Sequence, residues 1–81
     1  MKRSKHEIEE IAKTYARNTK TKYMYLEFAK VLPSTYAPGY WDALFIVRDP
    51  EGNEIDGPLL MAIHDKDGTI HTMEDIIMKQ R

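Results

Sequence analysis

Tyr40-Trp41-Asp42-Ala43-Leu44-Phe45-Ile46-Val47-Arg48 is the longest β-rich apolar run in the chain. Three aromatic residues and a β-branched pair within nine positions suit a pleated, half-buried surface, so the stretch reads as a central strand. Alternation puts Trp41, Ala43, Phe45 and Val47 on one face and Tyr40, Asp42, Leu44, Ile46 and Arg48 on the other. The first set is the expected core face. The second also carries Leu44 and Ile46, although an antiparallel sheet with one wet face normally alternates more cleanly. An uncovered apolar remnant there would suit a dimer or a partner interface.

On the C-terminal side, Asp49-Pro50-Glu51-Gly52-Asn53 is a turn signal, and Glu54-Ile55 is at most a short strand or edge before a second turn at Asp56-Gly57-Pro58. Leu59 to His64 reads as a buried strand. Asp65-Lys66-Asp67-Gly68 then turns the chain into Thr69-Ile70-His71, short enough for an edge strand. Thr72-Met73-Glu74-Asp75 fits a capping box with aspartate in place of glutamate, and Met73, Ile76 and Ile77 follow at helical spacing. The expectation is a short helix at about 73–79.

On the N-terminal side, Pro33-Ser34-Thr35-Tyr36-Ala37-Pro38-Gly39 is a stiffened loop with Tyr36 at its tip. Tyr36 is expected to fold back over the sheet edge; the alternative is that it anchors a partner at low entropic cost. Tyr23 to Leu32 admits a strand or a helix, and its tyrosines, phenylalanine and valine, with no N-cap before them, favour the strand. Strict alternation would group Met24, Leu26, Phe28 and Lys30 against Tyr23, Tyr25, Glu27, Ala29 and Val31. Ser4-Lys5-His6-Glu7 is a capping box, and Ile8, Ile11, Ala12, Tyr15 and Ala16 form one stripe, so a helix is expected over about 5–17 with Asn18 as a left-handed stop. Together these elements predict an α+β domain: an N-terminal helix packed on a three- or four-stranded antiparallel β-meander, followed by a short C-terminal helix.

A chain of 81 residues is read as one domain, and a core of this size supplies only about 3–5 kcal/mol by itself. There is no cysteine, hence no disulfide or thiolate metal site. No apolar run approaches a membrane span and the basic start leads into an amphipathic segment, so a cytoplasmic protein is the expectation. Residues 1–40 carry eight Lys/Arg against four Asp/Glu and residues 41–81 four against nine. That asymmetry accompanies a net charge of −1, which disfavours a dedicated nucleic-acid binder.

No catalytic, metal or cofactor constellation emerges. Asp65-Lys66-Asp67-Gly68-Thr69-Ile70 followed by Glu74 fails the calcium-loop spacing, with its glycine at position 4 instead of 6. His64 and His71 flank the turn, but their spacing matches no zinc pattern. Ser4 and Ser34 have no partner histidine in prospect, and the glycines lie isolated in separate turns. A small enzyme or ligand-binding domain is therefore a minority reading. The other alternative is single-stranded nucleic acid bound by Lys22, Lys30 and the interleaved Tyr23 and Tyr25.

Trp41 to Val47, Asp56-Gly57-Pro58 with Leu59 to Ile63, and the Asp65-Lys66-Asp67-Gly68-Thr69-Ile70 turn resemble the YrhB-like family of small bacterial immunity proteins and, more distantly, PepSY-type domains. The resemblance covers about residues 41–72. It implies a non-enzymatic protein that acts by binding a protein partner, and it carries over no catalytic residue; the leading expectation is a small bacterial or phage-type immunity or inhibitor protein that acts by occluding its partner. The expected contact residues are Tyr23, Tyr25, Tyr36, Tyr40, Leu44 and Ile46. The partner is a protein or a second copy of the chain, with nucleic acid disfavoured and no membrane involved.

Overall fold

The computed structural model describes residues 2–72. Their order is α1 (Lys5–Asn18), β1 (Tyr25–Pro33), β2 (Tyr40–Arg48), β3 (Leu59–His64) and β4 (Ile70–Thr72). The strands form one antiparallel sheet in the order β1-β2-β3-β4. The architecture is thus α+β, an antiparallel meander of four strands with a helix on one face. The helix expected at about 73–79 lies outside the described residues. Among the described residues no helix is long and apolar enough to cross a membrane.

The capping box starts α1 as its sequence predicts. Ser4 Oγ accepts from the Glu7 amide at 3.2 Å, and Glu7 Oε1 accepts from the Ser4 amide at 3.4 Å. The other end departs from expectation. Asn18 is not left-handed, since no residue other than glycine has positive φ among those described. Thr19 closes the helix instead, its hydroxyl donating to the Tyr15 carbonyl at 2.6 Å and its amide to the Ala16 carbonyl at 3.3 Å. A side chain that satisfies the last carbonyls removes the need for a left-handed cap.

Ile8, Ala12 and Ala16 bury the stripe of α1 against Leu26, Val31, Trp41, Ala43, Phe45, Met61 and Ile63. The core face of β2 is the one its alternation predicts. β1 differs. Phe28 pairs with Phe45 but Lys30 pairs with Leu44, so Ala29 is an extra residue and a bulge interrupts the ladder. A bulge resets the period-2 alternation. Val31 joins Leu26 in the core, and Lys30 moves to the face of Glu27, opposite to the grouping that strict alternation gives.

The turns brace this sheet. Asp49 closes the β2–β3 connection by accepting from the Asn53 amide at 2.9 Å and the Glu51 amide at 3.0 Å. These bonds, the Asn53 amide first, hold its carboxyl below the usual carboxylate range. Glu54 makes only an isolated bridge to Arg48. In the β3–β4 turn Gly68 has φ 73°, and a Cβ there would stand 3.2 Å from the Ile11 side chain, so glycine lets the turn seat beneath α1.

Candidate functional site

The face of the sheet opposite α1 is built from Tyr25, Glu27, Lys30 and Leu32 of β1, Tyr40, Asp42, Leu44, Ile46 and Arg48 of β2, Leu60, Ala62 and His64 of β3, and His71 of β4. Register sets its rows. Lys30, Leu44 and Leu60 lie side by side, as do Leu32, Asp42, Ala62 and His71, while Ile46 pairs with Glu27. Leu44, Ile46 and Leu60 are half-buried and Leu32 is 48 % exposed, so an apolar strip runs across the middle. A charged margin borders it at Glu27 and Arg48, which pair at 3.2 Å. That hydrogen-bonded contact with Glu27 raises the guanidinium further above its already high value.

Asp42 sits within this strip, and its Oδ1 is shielded from solvent with no hydrogen-bond partner. Shielded carboxylate oxygens nearly always find a donor, because desolvation without compensation is costly. The neighbouring positions in its row, Leu32 and Ala62, offer none from their side chains.

At one end the face becomes aromatic and polar. The Tyr40 ring packs 4.7 Å from His64 and 6.2 Å from His71, centroid to centroid. Ala37, from the β1–β2 loop, is buried with Ala62 against Tyr40. The loop therefore covers that end of the face through Ala37, whereas Tyr36, expected to fold back over the sheet edge, stands exposed at the tip. His64 Nδ1 meets Asp67 Oδ1 at 3.0 Å, and the Thr69 hydroxyl lies 2.7 Å from both Asp67 Oδ1 and His71 Nε2. The amide and hydroxyl of Thr69, then His64, hold Asp67 far below the usual carboxylate range. These contacts engage both histidines within the turn.

The expected contact residues separate into two groups. Tyr25, Tyr40, Leu44 and Ile46 share the open face, with Tyr25 opposite Arg48 at its far end. Tyr23 and Tyr36 do not join them: Tyr23 precedes β1 and is 71 % exposed, with Lys22 Nζ 5.1 Å from its ring, and Tyr36 is 66 % exposed at the loop tip. Two depressions lie away from the strip. One of about 260 Å³ is lined by Ala16, Arg17, Lys20, Tyr25 and Leu26, and one of about 420 Å³ by Lys2, Gly39, His64, Asp65 and Lys66.

Asp65 in the second depression is a residue whose role sequence reasoning missed. Read as a turn residue, it is a buried hub. Its carboxylate accepts from Trp41 Nε1 at 2.9 Å, from the Arg3 amide at 3.1 Å and from the Lys2 amide, while Arg3 Nε donates to its carbonyl at 2.9 Å. The Trp41 bond foremost, then those from Lys2 and Arg3, hold its carboxyl below the ordinary range against the opposing effect of burial. The hub ties the segment ahead of α1 to the sheet. No family model, curated protein or solved structure matches the chain.

Proposed function

We propose that this chain is a non-enzymatic protein-binding module of the immunity or inhibitor type, which occludes a partner by laying the open face of its sheet against it. The observation that carries this reading is the apolar strip left on the face opposite α1, where Leu44, Ile46 and Leu60 are half-buried and Leu32 stands 48 % exposed beside them. Half-buried leucine and isoleucine bordered by charged side chains are the make-up of an interface core and its polar rim. The partner that fits it presents an apolar patch whose rim carries charges complementary to Glu27 and Arg48.

The test pairs capture from the native host with variants Leu44→Lys, Ile46→Lys and Asp42→Ala. The expected result is a stoichiometric protein partner held by the wild type and weakened roughly 30-fold or more by each lysine variant, the size of a hot-spot loss. Melting temperatures should stay within about 5 °C of wild type, because the strip belongs to the surface of the free protein. Asp42→Ala should be neutral or stabilising, since it removes an unsatisfied acceptor. A monomeric wild type with no partner, and lysine variants that unfold, would instead make the strip ordinary core.

A further inference from the structure

We infer that two copies of this chain pair through the β1 edge, strand against strand about a two-fold axis placed at the Phe28–Ala29 bulge. This inference is independent of the open face, because it uses the rim of the sheet.

β1 is a nine-residue strand at the end of the strand order, with no described strand beyond it. The direction of its backbone groups follows from its neighbours. Ile55 N donates to Val47 O, so Val47 points away from β1 and its partner Leu26 points its own amide and carbonyl outward. At the other end Ser34 N donates to Tyr40 O, so the next pair, Pro33 with Trp41, is not hydrogen-bonded; two residues on, Val31 is likewise outward. Leu26 and Val31 thus supply free donors and acceptors to the edge on either side of the bulge.

The bulge makes this edge match itself. Without the extra residue, Glu27 and Lys30 would fall on opposite faces; with it, both lie on the open face while Leu26 and Val31 both lie on the core face. An antiparallel pairing about the bulge sets Leu26 opposite Val31 of the second copy, Glu27 opposite its Lys30 and Tyr25 opposite its Leu32. Every pair then shares a face, and Leu26 and Val31 exchange backbone bonds across the axis. The charges agree. Lys30 is exposed and has no ion pair among the described residues, and Glu27, also exposed, keeps an oxygen for a second cation beside Arg48. Lysines and bulges normally guard an edge against strand addition. Here they select a register, because pairings centred on residue 27 or residue 30 would bring like charges together.

Sedimentation across a concentration series, with Lys30→Glu, Glu27→Lys and an equimolar mixture of the two, tests this pairing. The wild type should dimerise, each variant alone should weaken association at least about 10-fold, and the mixture should recover it as a heterodimer. Leu60→Lys, on the same open face but two strands in from this edge, should leave dimerisation unchanged, which separates this result from the fate of the open face. Glu27→Lys also breaks the contact with Arg48, so amide exchange in the wild type supplies a second measurement. Protection of Leu26 and Val31 should rise with concentration. A wild type that stays monomeric to millimolar concentration, a Lys30→Glu variant that dimerises unchanged, or protection at those two amides independent of concentration would each overturn the inference.

Discussion

Phe45→Ala is expected to destabilise the protein by about 3–5 kcal/mol, which is comparable to its whole stability. Phe45 has no exposed surface and lies where every layer of the fold meets. Its ring is 5.7 Å from Tyr15 of α1 and 6.1 Å from Phe28 of β1, and its backbone pairs with both Phe28 and Leu59. Truncation removes the transfer energy of the ring and leaves a cavity that helix and sheet cannot both close. Urea denaturation followed by circular dichroism should place the variant largely unfolded in water at physiological temperature. Phe45→Leu, which fills most of the space, should cost about 1–2 kcal/mol. Equal losses in the two variants would show that the ring is not the keystone of the core.

The second large effect concerns Asp65. Asp65→Ala leaves the Trp41 indole and the Lys2 and Arg3 amides without their acceptor. Since unmaking a shielded hydrogen bond costs more than making it contributes, melting should fall by roughly 10 °C. Trp41 is the single tryptophan, so its emission should shift as the indole loses its partner, and the segment before α1 should become open to proteolysis. The pH dependence provides a further signature. The folded-state pKa of Asp65 lies below the ordinary 3.8, chiefly through the Trp41 bond. A depressed carboxylate stabilises the fold fully above its unfolded pKa and loses that contribution as pH falls through the folded value. The stability gap between wild type and Asp65→Asn should therefore stay level from about pH 5 to 8 and narrow below about pH 4. Asp49 and Asp67 are depressed as well but remain in both proteins, so their effect cancels in the difference. A gap unchanged down to about pH 2 would mean that Asp65 is not held ionised by these donors.

The tryptophan-led strand and the Asp-x-x-Gly turn are two short motifs far apart in sequence. In the fold they make one structural device: Trp41 and Asp65 are bonded to each other, and Gly68 lets the turn pass beneath Ile11. That device secures the N-terminal segment and stands apart from the strip around Asp42 on the opposite face of the sheet.

Much of this molecule is written locally in its sequence. The Ser4–Glu7 box and the stripe from Ile8 to Ala16 specify α1, and alternation from Tyr40 to Arg48 assigns the core face of β2. These signals depend on neighbours within a turn or two, where helical and pleated periods are fixed by backbone geometry. Tertiary structure decided what those periods leave open. The extra residue at Ala29 reverses the faces of Lys30 and Val31, and a two-residue rhythm contains no warning of an inserted third. Asp65 is a hub because backbone amides 62 and 63 positions away reach it, and an amide belongs to every residue but proline, so no side chain advertises the bond. The unpaired oxygen of Asp42 likewise depends on its cross-strand neighbours, Leu32 and Ala62, which only the register brings beside it. The sequence therefore determined which elements exist and which side of the central strand is core. Long-range pairing determined which of the remaining side chains stand together on the open face and along the β1 edge, because register is a relation between strands that no single strand carries.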